Sequence, residues 1–374
     1  MKKLKKLIRN PNIFFRDYLN KKYPYKNIEQ PFFEYEENLI IDHESLLNKI
    51  EMKNNSQDSF PIDVVFTWVN NKDPVWQKKL ENYLSRDSAS YSPLAIDNAR
   101  FENRDELFFS VHSVLKYIPW INHIYLVTDN QIPDWLYPNE KITIIDHKDI
   151  IDGKYLPTFN SHVIEAHLHK IPGLSENFIY FNDDVFVARK LEREHFFHHN
   201  QIASIFLTDK SLISMKEKGR ITPTLLASEN SLSLLKKRYP SNIDTPLVHT
   251  YFPLKKSIYK LCWQFFENEI EDFLSNKFRG NNDLNLATFL VPWLMYLEGE
   301  SIPKVEICYY FNIRSNQAKI FYQKLLYKKE IGYPPHSFCA NDLCNTNDDI
   351  SSLELDNFLN EYFNDKFFWR KINE

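Results

Sequence analysis

The chain has 374 residues, 43% of them hydrophobic and 15% aromatic, enough for one large or two ordinary cores, which excludes a disordered polymer. Its formal net charge of -4 is close to neutral for this size and excludes a protein that coats nucleic acid. Only 6 glycines are present, with no glycine-rich phosphate loop, which excludes P-loop hydrolases and GxGxxG dinucleotide enzymes.

In chain order, residues 1–60 are charged and rich in Asn and Lys, with Pro11, Pro24 and Pro31 as breakers, and read as an N-terminal appendage. Lys2, Lys3, Lys5, Lys6 and Arg9 alternate there with Leu4, Leu7, Ile8, Ile13, Phe14, Phe15 and Leu19. Such a stretch is either an amphipathic element on a membrane surface or a solvated basic helix packed on its own chain. It lacks the apolar core of a secretory signal. From residue 61 to about residue 200, strands alternate with helices. Ile62–Val69 predicts a strand, and Arg104–Tyr117 a helix with Leu107, Phe108, Val111, Val114 and Leu115 on one stripe. Ile124–Thr128 and Lys141–Ile145 predict short strands, Ser161–His169 the start of a helix, and Phe178–Phe181 a further strand. The alternation predicts an α/β protein with a mostly parallel, Rossmann-like sheet flanked by helices. Residues 200–245 lose the rhythm and read as an insertion or lid; 246–345 resume with helices and loops; 346–374 read as a helical tail. The longest mostly apolar run, Leu286–Leu297, holds Pro292 and falls short of the about 20 residues that span a bilayer. Cys262, Cys308, Cys339 and Cys344 show no CxxC spacing, as expected of packed thiols in a reducing, cytoplasmic compartment.

Two strands carry the functional signal. One, Ile62–Asn70, ends in polar residues; the other, Phe178–Val187, contains Asp183 and Asp184 side by side. Ligands of open α/β sheets bind beyond the carboxyl ends of the strands, so these ends predict a site for a phosphate-bearing substrate and a divalent cation. Neighbouring residues of a strand point opposite ways. Both carboxylates therefore face one site only if the chain turns, which Asn182 permits.

Ile62–Pro74, Arg104–Leu136 and Leu156–Val187 resemble the first two conserved blocks of the Stealth family. His249–Phe289, with Phe278-Arg279 and Asn282-Asp283 at its centre, is similar to the third block, and Ser337–Asp342 to a degenerate fourth. The resemblance spans residues 61–345, read as the catalytic region. It implies a hexose-1-phosphate transferase that passes sugar-1-phosphate from a nucleotide-activated sugar, typically a UDP-sugar, to a sugar hydroxyl and releases UMP. Members include bacterial capsule polymerases and the animal enzyme that tags lysosomal glycoproteins. It further implies a GT-A-like sheet, Mg2+ or Mn2+, an oligosaccharide or polysaccharide acceptor, and peripheral contact with the inner membrane or capsule assembly machinery. An ordinary glycosyltransferase, which releases UDP, stays open as the alternative.

Sugar-phosphate transfer needs charge neutralised on the pyrophosphate, a positioned hydroxyl and a proton acceptor. Asp183 and Asp184 offer hard oxygens to Mg2+ or Mn2+, or else cap a turn. His249, at the place of the family's third-block histidine, is the candidate proton acceptor. Arg279 precedes Gly280–Asp283, which looks like a helix start, and is the candidate phosphate clamp. Asp283 is either an acid at that helix terminus or a site residue. Ser161 and Glu165, four apart, share a helix face and are expected to grip sugar hydroxyls or support the site. Trp68 either stacks on uracil or belongs to the core; Thr67, Asn70 and Asp73 either bond the nucleoside or shape a turn. Arg104 is a donor-phosphate candidate. His162, His167 and His169 are wrongly spaced for a zinc set. Asp342, with no second acid directly after it, departs from the family pattern and remains a candidate third metal ligand.

Overall fold

The computed structural model describes residues 32–51, 60–87, 105–137, 140–217, 221–315, 317–342 and 350–363. Arg104 and the basic segment 1–25 lie outside the described residues. Among the described residues, ten strands follow in chain order: β1 Ile62–Thr67, β2 Ile124–Thr128, β3 Ile142–Asp146, β4 Asn177–Asn182, β5 Val185–Val187, β6 Ala203–Phe206, β7 Phe252–Lys255, β8 Ser301–Lys304, β9 Cys308–Asn312 and β10 Ser337–Asn341.

The central sheet runs β3-β2-β1-β4-β7. Its first four strands are parallel and β7 is antiparallel to β4. β2 is buried at every position, and β1 at all but Thr67, as expected of strands covered on both faces, which read as apolar runs rather than alternations. The chain builds outward from β1 through β2 to β3 and then returns to pair β4 on the other side of β1. The strand order therefore reverses between β1 and β4, where open α/β sheets form their ligand crevice. Thr67 stands opposite Asn182 in that register. Helix Glu106–Tyr117 begins two residues later than expected. The expected helix at Ser161 spans only Ser161–Glu165, capped by Asn160, and tightens into a 3-10 turn at Leu168–Lys170.

A second core gathers around the sheet β5-β10-β9. Helices Ala318–Glu330 and Ile350–Phe363 cover it, the latter with Leu355, Phe358, Leu359 and Tyr362. Helix Glu34–Glu51, from the stretch read as an appendage, also joins it through Ile41. Its Glu37 and the Lys328 ammonium are both wholly buried and 3.1 Å apart. The Tyr309 hydroxyl donates to Glu37 at 2.7 Å and Lys328 donates to Asn38 at 2.8 Å. The segment read as a lid contains β6 and helices Leu212–Glu217 and Pro223–Arg238. Among the described residues, no helix is long and apolar enough to cross a membrane. The apolar run at Leu286–Leu297 is instead a π turn, Leu286–Leu290, continued by helix Val291–Leu297 inside the main core.

Candidate active site

β4 ends at Asn182, and Asp183 and Asp184 form a two-residue turn into β5. The turn removes the alternation that would otherwise point the two carboxylates apart. β10 runs antiparallel to β5, with Cys339 opposite Val185, and so delivers its last residues to the turn. The Ala340 amide donates to the Asp184 carbonyl at 3.1 Å. Asn341 Nδ2 donates to Asp184 Oδ2 at 3.0 Å, and the Cys339 thiol reaches the same oxygen at 3.3 Å. Because β7 is antiparallel to β4, with Tyr180 opposite Phe252, its N-terminal end lies at the carboxyl edge of the sheet and carries His249 there. The His249 ring meets Tyr310 edge-on at 5.3 Å, and its buried Nε2 has no hydrogen-bond partner. Donor atoms of Asp184, His249 and Cys339 all lie within 4.8 Å of one another.

Burial, and then the neighbouring Asp184 charge, raise the Asp183 carboxyl from 3.8 to about 7. Two adjacent carboxylates in a half-buried turn call for a countercharge. Asp183, Asp184 and the buried, unpartnered Oδ1 of Asn341 are hard oxygen donors that fit Mg2+ or Mn2+. Asp342, expected as a further ligand, is instead forked by Arg314, at 2.5 Å and 2.9 Å. A carboxylate held by a bidentate guanidinium has its oxygens committed.

The Asp183 shift has a thermodynamic consequence. The folded state holds this proton more tightly than the unfolded chain, so the stabilisation is complete below pH 3.8 and is lost as pH rises to about 7. Melting temperatures in metal-free buffer should therefore fall across that window, and added Mg2+ should raise them most on its alkaline side. An Asp183→Asn variant that keeps the same slope and the same Mg2+ response would refute this assignment.

A second group sits at the crevice between β1 and β4. The Tyr180 hydroxyl lies 2.9 Å from Thr67 Oγ1 and 2.9 Å from Asn182 Oδ1. Burial, Glu165 and Asp183 raise its pKa well above the ordinary phenol. Arg279 donates to Ser161 Oγ and Thr224 Oγ1, each at 2.7 Å. Among the described residues no carboxylate comes within ion-pair distance of it. Burial lowers the guanidinium pKa, against the opposing charges of Glu165 and Asp283. Ser161 and Arg279 are thus in direct contact, and Glu165 is near enough for its charge to act on Arg279. Tyr180 and Thr224 were not anticipated. The i, i+2 pairing of Tyr180 with Asn182 on one strand face was the available signal for the first; Thr224, on a helix of the lid segment, had none.

Other expected residues serve the scaffold. Trp68 is 6% exposed and belongs to the core. Asn70 and Asp73 are bound by Gln131, which accepts from the Asn70 amide at 2.7 Å and donates to Asp73 Oδ2 at 3.0 Å. The Gln131 bond is the main cause of the lowered Asp73 pKa, and Asp73 Oδ1 accepts from the Val75 amide of the next helix at 2.9 Å. The helix expected from Gly280 starts at Leu286, capped by Asn285. Asp283 precedes it, fully buried, and accepts from Asn160 at 2.9 Å, His162 at 2.9 Å and Asn276 at 2.7 Å. A β-carbon on Gly280 would collide with the Asn276 side chain. Of the three histidines, His162 bonds Asp283, His167 bonds the Val163 carbonyl and His169 stacks on Tyr259.

Beneath His249 lies a polar layer that the sequence did not reveal. Buried Glu306 accepts from Ser337 at 2.6 Å, His195 at 2.9 Å and Tyr251 at 3.2 Å. Burial alone would raise Glu306, but hydrogen bonds from His195 and His336 hold it well below the usual carboxylate range. Ser337 also meets Thr250, adjacent to His249, at 2.7 Å. His336 reaches onward to Glu44 of helix Glu34–Glu51 at 2.7 Å, so this helix and the His249 loop share one network.

The Stealth protein conserved region 1 model matches residues 60–88, and that of conserved region 2 matches residues 100–205. A capsular polysaccharide phosphotransferase of Actinobacillus suis is 59% identical over 97% of this chain and 98% of its own length. The capsular polysaccharide phosphotransferase LcbA of Neisseria meningitidis is 59% identical over 91% of this chain and 93% of its own length. Among solved structures, the galactosyltransferase LgtC, crystallised with donor and acceptor sugar analogs, aligns with a TM-score of 0.39 at 12% identity, over 83% of this chain and 100% of its own. Identity of this extent, on a chain whose Asp184 and His249 meet at one sheet edge, means that it belongs to the Stealth family of phosphotransferases.

Proposed function

We propose that this chain transfers hexose-1-phosphate from a UDP-sugar to a hydroxyl of an oligosaccharide or polysaccharide acceptor during capsule synthesis. The observation that carries the reading is the meeting of Asp184 with His249, whose buried Nε2 has no partner. The acceptor oxygen attacks the phosphorus that bears the sugar. The bond to the second phosphate breaks, and UMP leaves. His249 takes the hydroxyl proton at Nε2. Arg279, preset by two hydroxyls rather than by a carboxylate, offers its charge to the phosphate oxygens. Asp183 and Asp184 would hold Mg2+ or Mn2+, with Asn341 as a third oxygen donor. A divalent ion bound there would neutralise charge on the diphosphate. Cys262, Cys308 and Cys339 are buried thiols, which supports a reducing, cytoplasmic setting. Contact with the inner membrane rests on the basic segment 1–25.

Incubation with UDP-sugars, acceptor and Mg2+ should release UMP and give a phosphodiester by phosphorus NMR. Release of UDP would replace this reading by ordinary glycosyl transfer. Arg279→Lys, which loses the planar fork, should lower kcat/KM for the donor by on the order of 100-fold, about 2.7 kcal/mol. An unchanged kcat/KM would remove Arg279 from the phosphate.

A further inference from the structure

Among the described residues, two groups of side chains have the composition of a metal site, and they differ in one decisive respect. In the first, Glu44, His195 and His336, the imidazoles are already engaged. His336 Nε2 lies 2.7 Å from Glu44 and its Nδ1 3.5 Å from Glu306, while His195 Nε2 lies 2.9 Å from both Glu306 and Tyr251. In the second, Asp184, His249 and Cys339 present one oxygen, one nitrogen and one sulfur, mutually within 4.8 Å. There the buried Nε2 of His249 has no partner.

We propose that Asp184, His249 and Cys339 form a binding site for a thiophilic divalent cation, Zn2+ above all, that overlaps the active site. The donor set decides the class of ion. Mg2+ takes oxygen ligands and retains its waters, so it gains nothing from Cys339. Zn2+ binds thiolate, imidazole and carboxylate together in tetrahedral sites. Bonds of about 2.0–2.3 Å place such ligand atoms roughly 3.3–3.8 Å apart, so donors within 4.8 Å of one another close by about 1.5 Å at most. Each comes from a different anchored element: the β4–β5 turn, the loop before β7, and β10. Binding converts the thiol and Zn2+ into a zinc thiolate and one released proton. A fourth position stays open to water or a phosphate oxygen. The consequence for catalysis rests on the function proposed above: with its lone pair on zinc, His249 no longer accepts the acceptor proton, and Zn2+ inhibits where Mg2+ supports turnover.

The test reads binding rather than turnover. Co2+ added to the full-length, metal-free protein should produce the near-ultraviolet thiolate-to-cobalt charge-transfer band, and Zn2+ should displace it. Cys339→Ser should abolish the band and weaken Zn2+ binding, measured against a chromophoric chelator, on the order of 100-fold. Cys308→Ser, at the neighbouring thiol that donates to the His249 carbonyl, should leave the band intact. His249→Gln, a change in the half-buried loop before β7 that spares the sheet, should weaken Zn2+ binding even if Cys339→Ser does not fold. No band in the wild type, a band that survives Cys339→Ser, unaltered Zn2+ binding in His249→Gln, or loss of the band in Cys308→Ser would each overturn the site. UMP release with Mg2+ is scored separately. A protein that shows the band without releasing UMP refutes the phosphotransfer reading and leaves this one standing.

Discussion

Replacing His249 with glutamine is expected to lower the rate of UMP release by on the order of 10²–10⁴-fold, the usual worth of a positioned proton acceptor. The loss should fall on kcat, with KM for the UDP-sugar little changed, because the proposed mechanism sets His249 against the attacking hydroxyl rather than the donor. Glutamine keeps much of the ring's volume and its polar edge, so folding should survive; near-ultraviolet circular dichroism and an unchanged melting temperature would confirm that. One competitor is built into the same edge. Asp183, raised to about 7 by burial and by Asp184, also has the proton affinity of a general base. Full activity in His249→Gln, with activity abolished in Asp183→Asn even at saturating Mg2+, would transfer the role to Asp183.

The largest expected effect on stability lies far from the chemistry, at Glu37. Glu37 and Lys328 are both 0% exposed and 3.1 Å apart. Truncation of Glu37 to alanine strands an ammonium in the second core, at a cost of about 3–5 kcal/mol. For a chain of this size that lowers the melting temperature by about 4–6 °C. The double variant Glu37→Leu/Lys328→Met removes both charges and should regain most of the loss, since a desolvated ion pair is worth little more than well-packed apolar groups. Equal melting temperatures for Glu37→Ala and the wild type would show that helix Glu34–Glu51 contributes nothing to the fold. A double variant as unstable as Glu37→Ala would show that the hydrogen bonds of Tyr309 and Asn38, rather than the charges, hold the helix in place.

The sequence by itself determined the central strands and the acidic turn. β1, β2 and β4 are apolar runs of five or six residues ended by polar ones, a pattern that follows from burial on both faces and needs no knowledge of neighbours. Ser161 and Glu165 were legible together for a similar reason: helical spacing alone puts residues four apart on one face. These are local statements, within reach of periodicity and turn chemistry.

What completes the site is not local, and only the tertiary structure decided it. Asp184 meets Cys339 and Asn341 because β10 runs antiparallel to β5, and His249 joins them because β7 runs antiparallel to β4. Strand direction and neighbour order leave no trace in a strand's own alternation, which fixes only which face a side chain takes. Arg279 finds Thr224 on a helix of the lid segment, Gln131 closes on Asn70 and Asp73, and Glu37 seals onto Lys328. Each of these is a buried polar group that takes whichever partner the packed core brings within reach, because leaving it unpaired costs more than the bond contributes. The sequence declared which residues are suited to chemistry; the packing of two cores on two sheets decided which of them stand together.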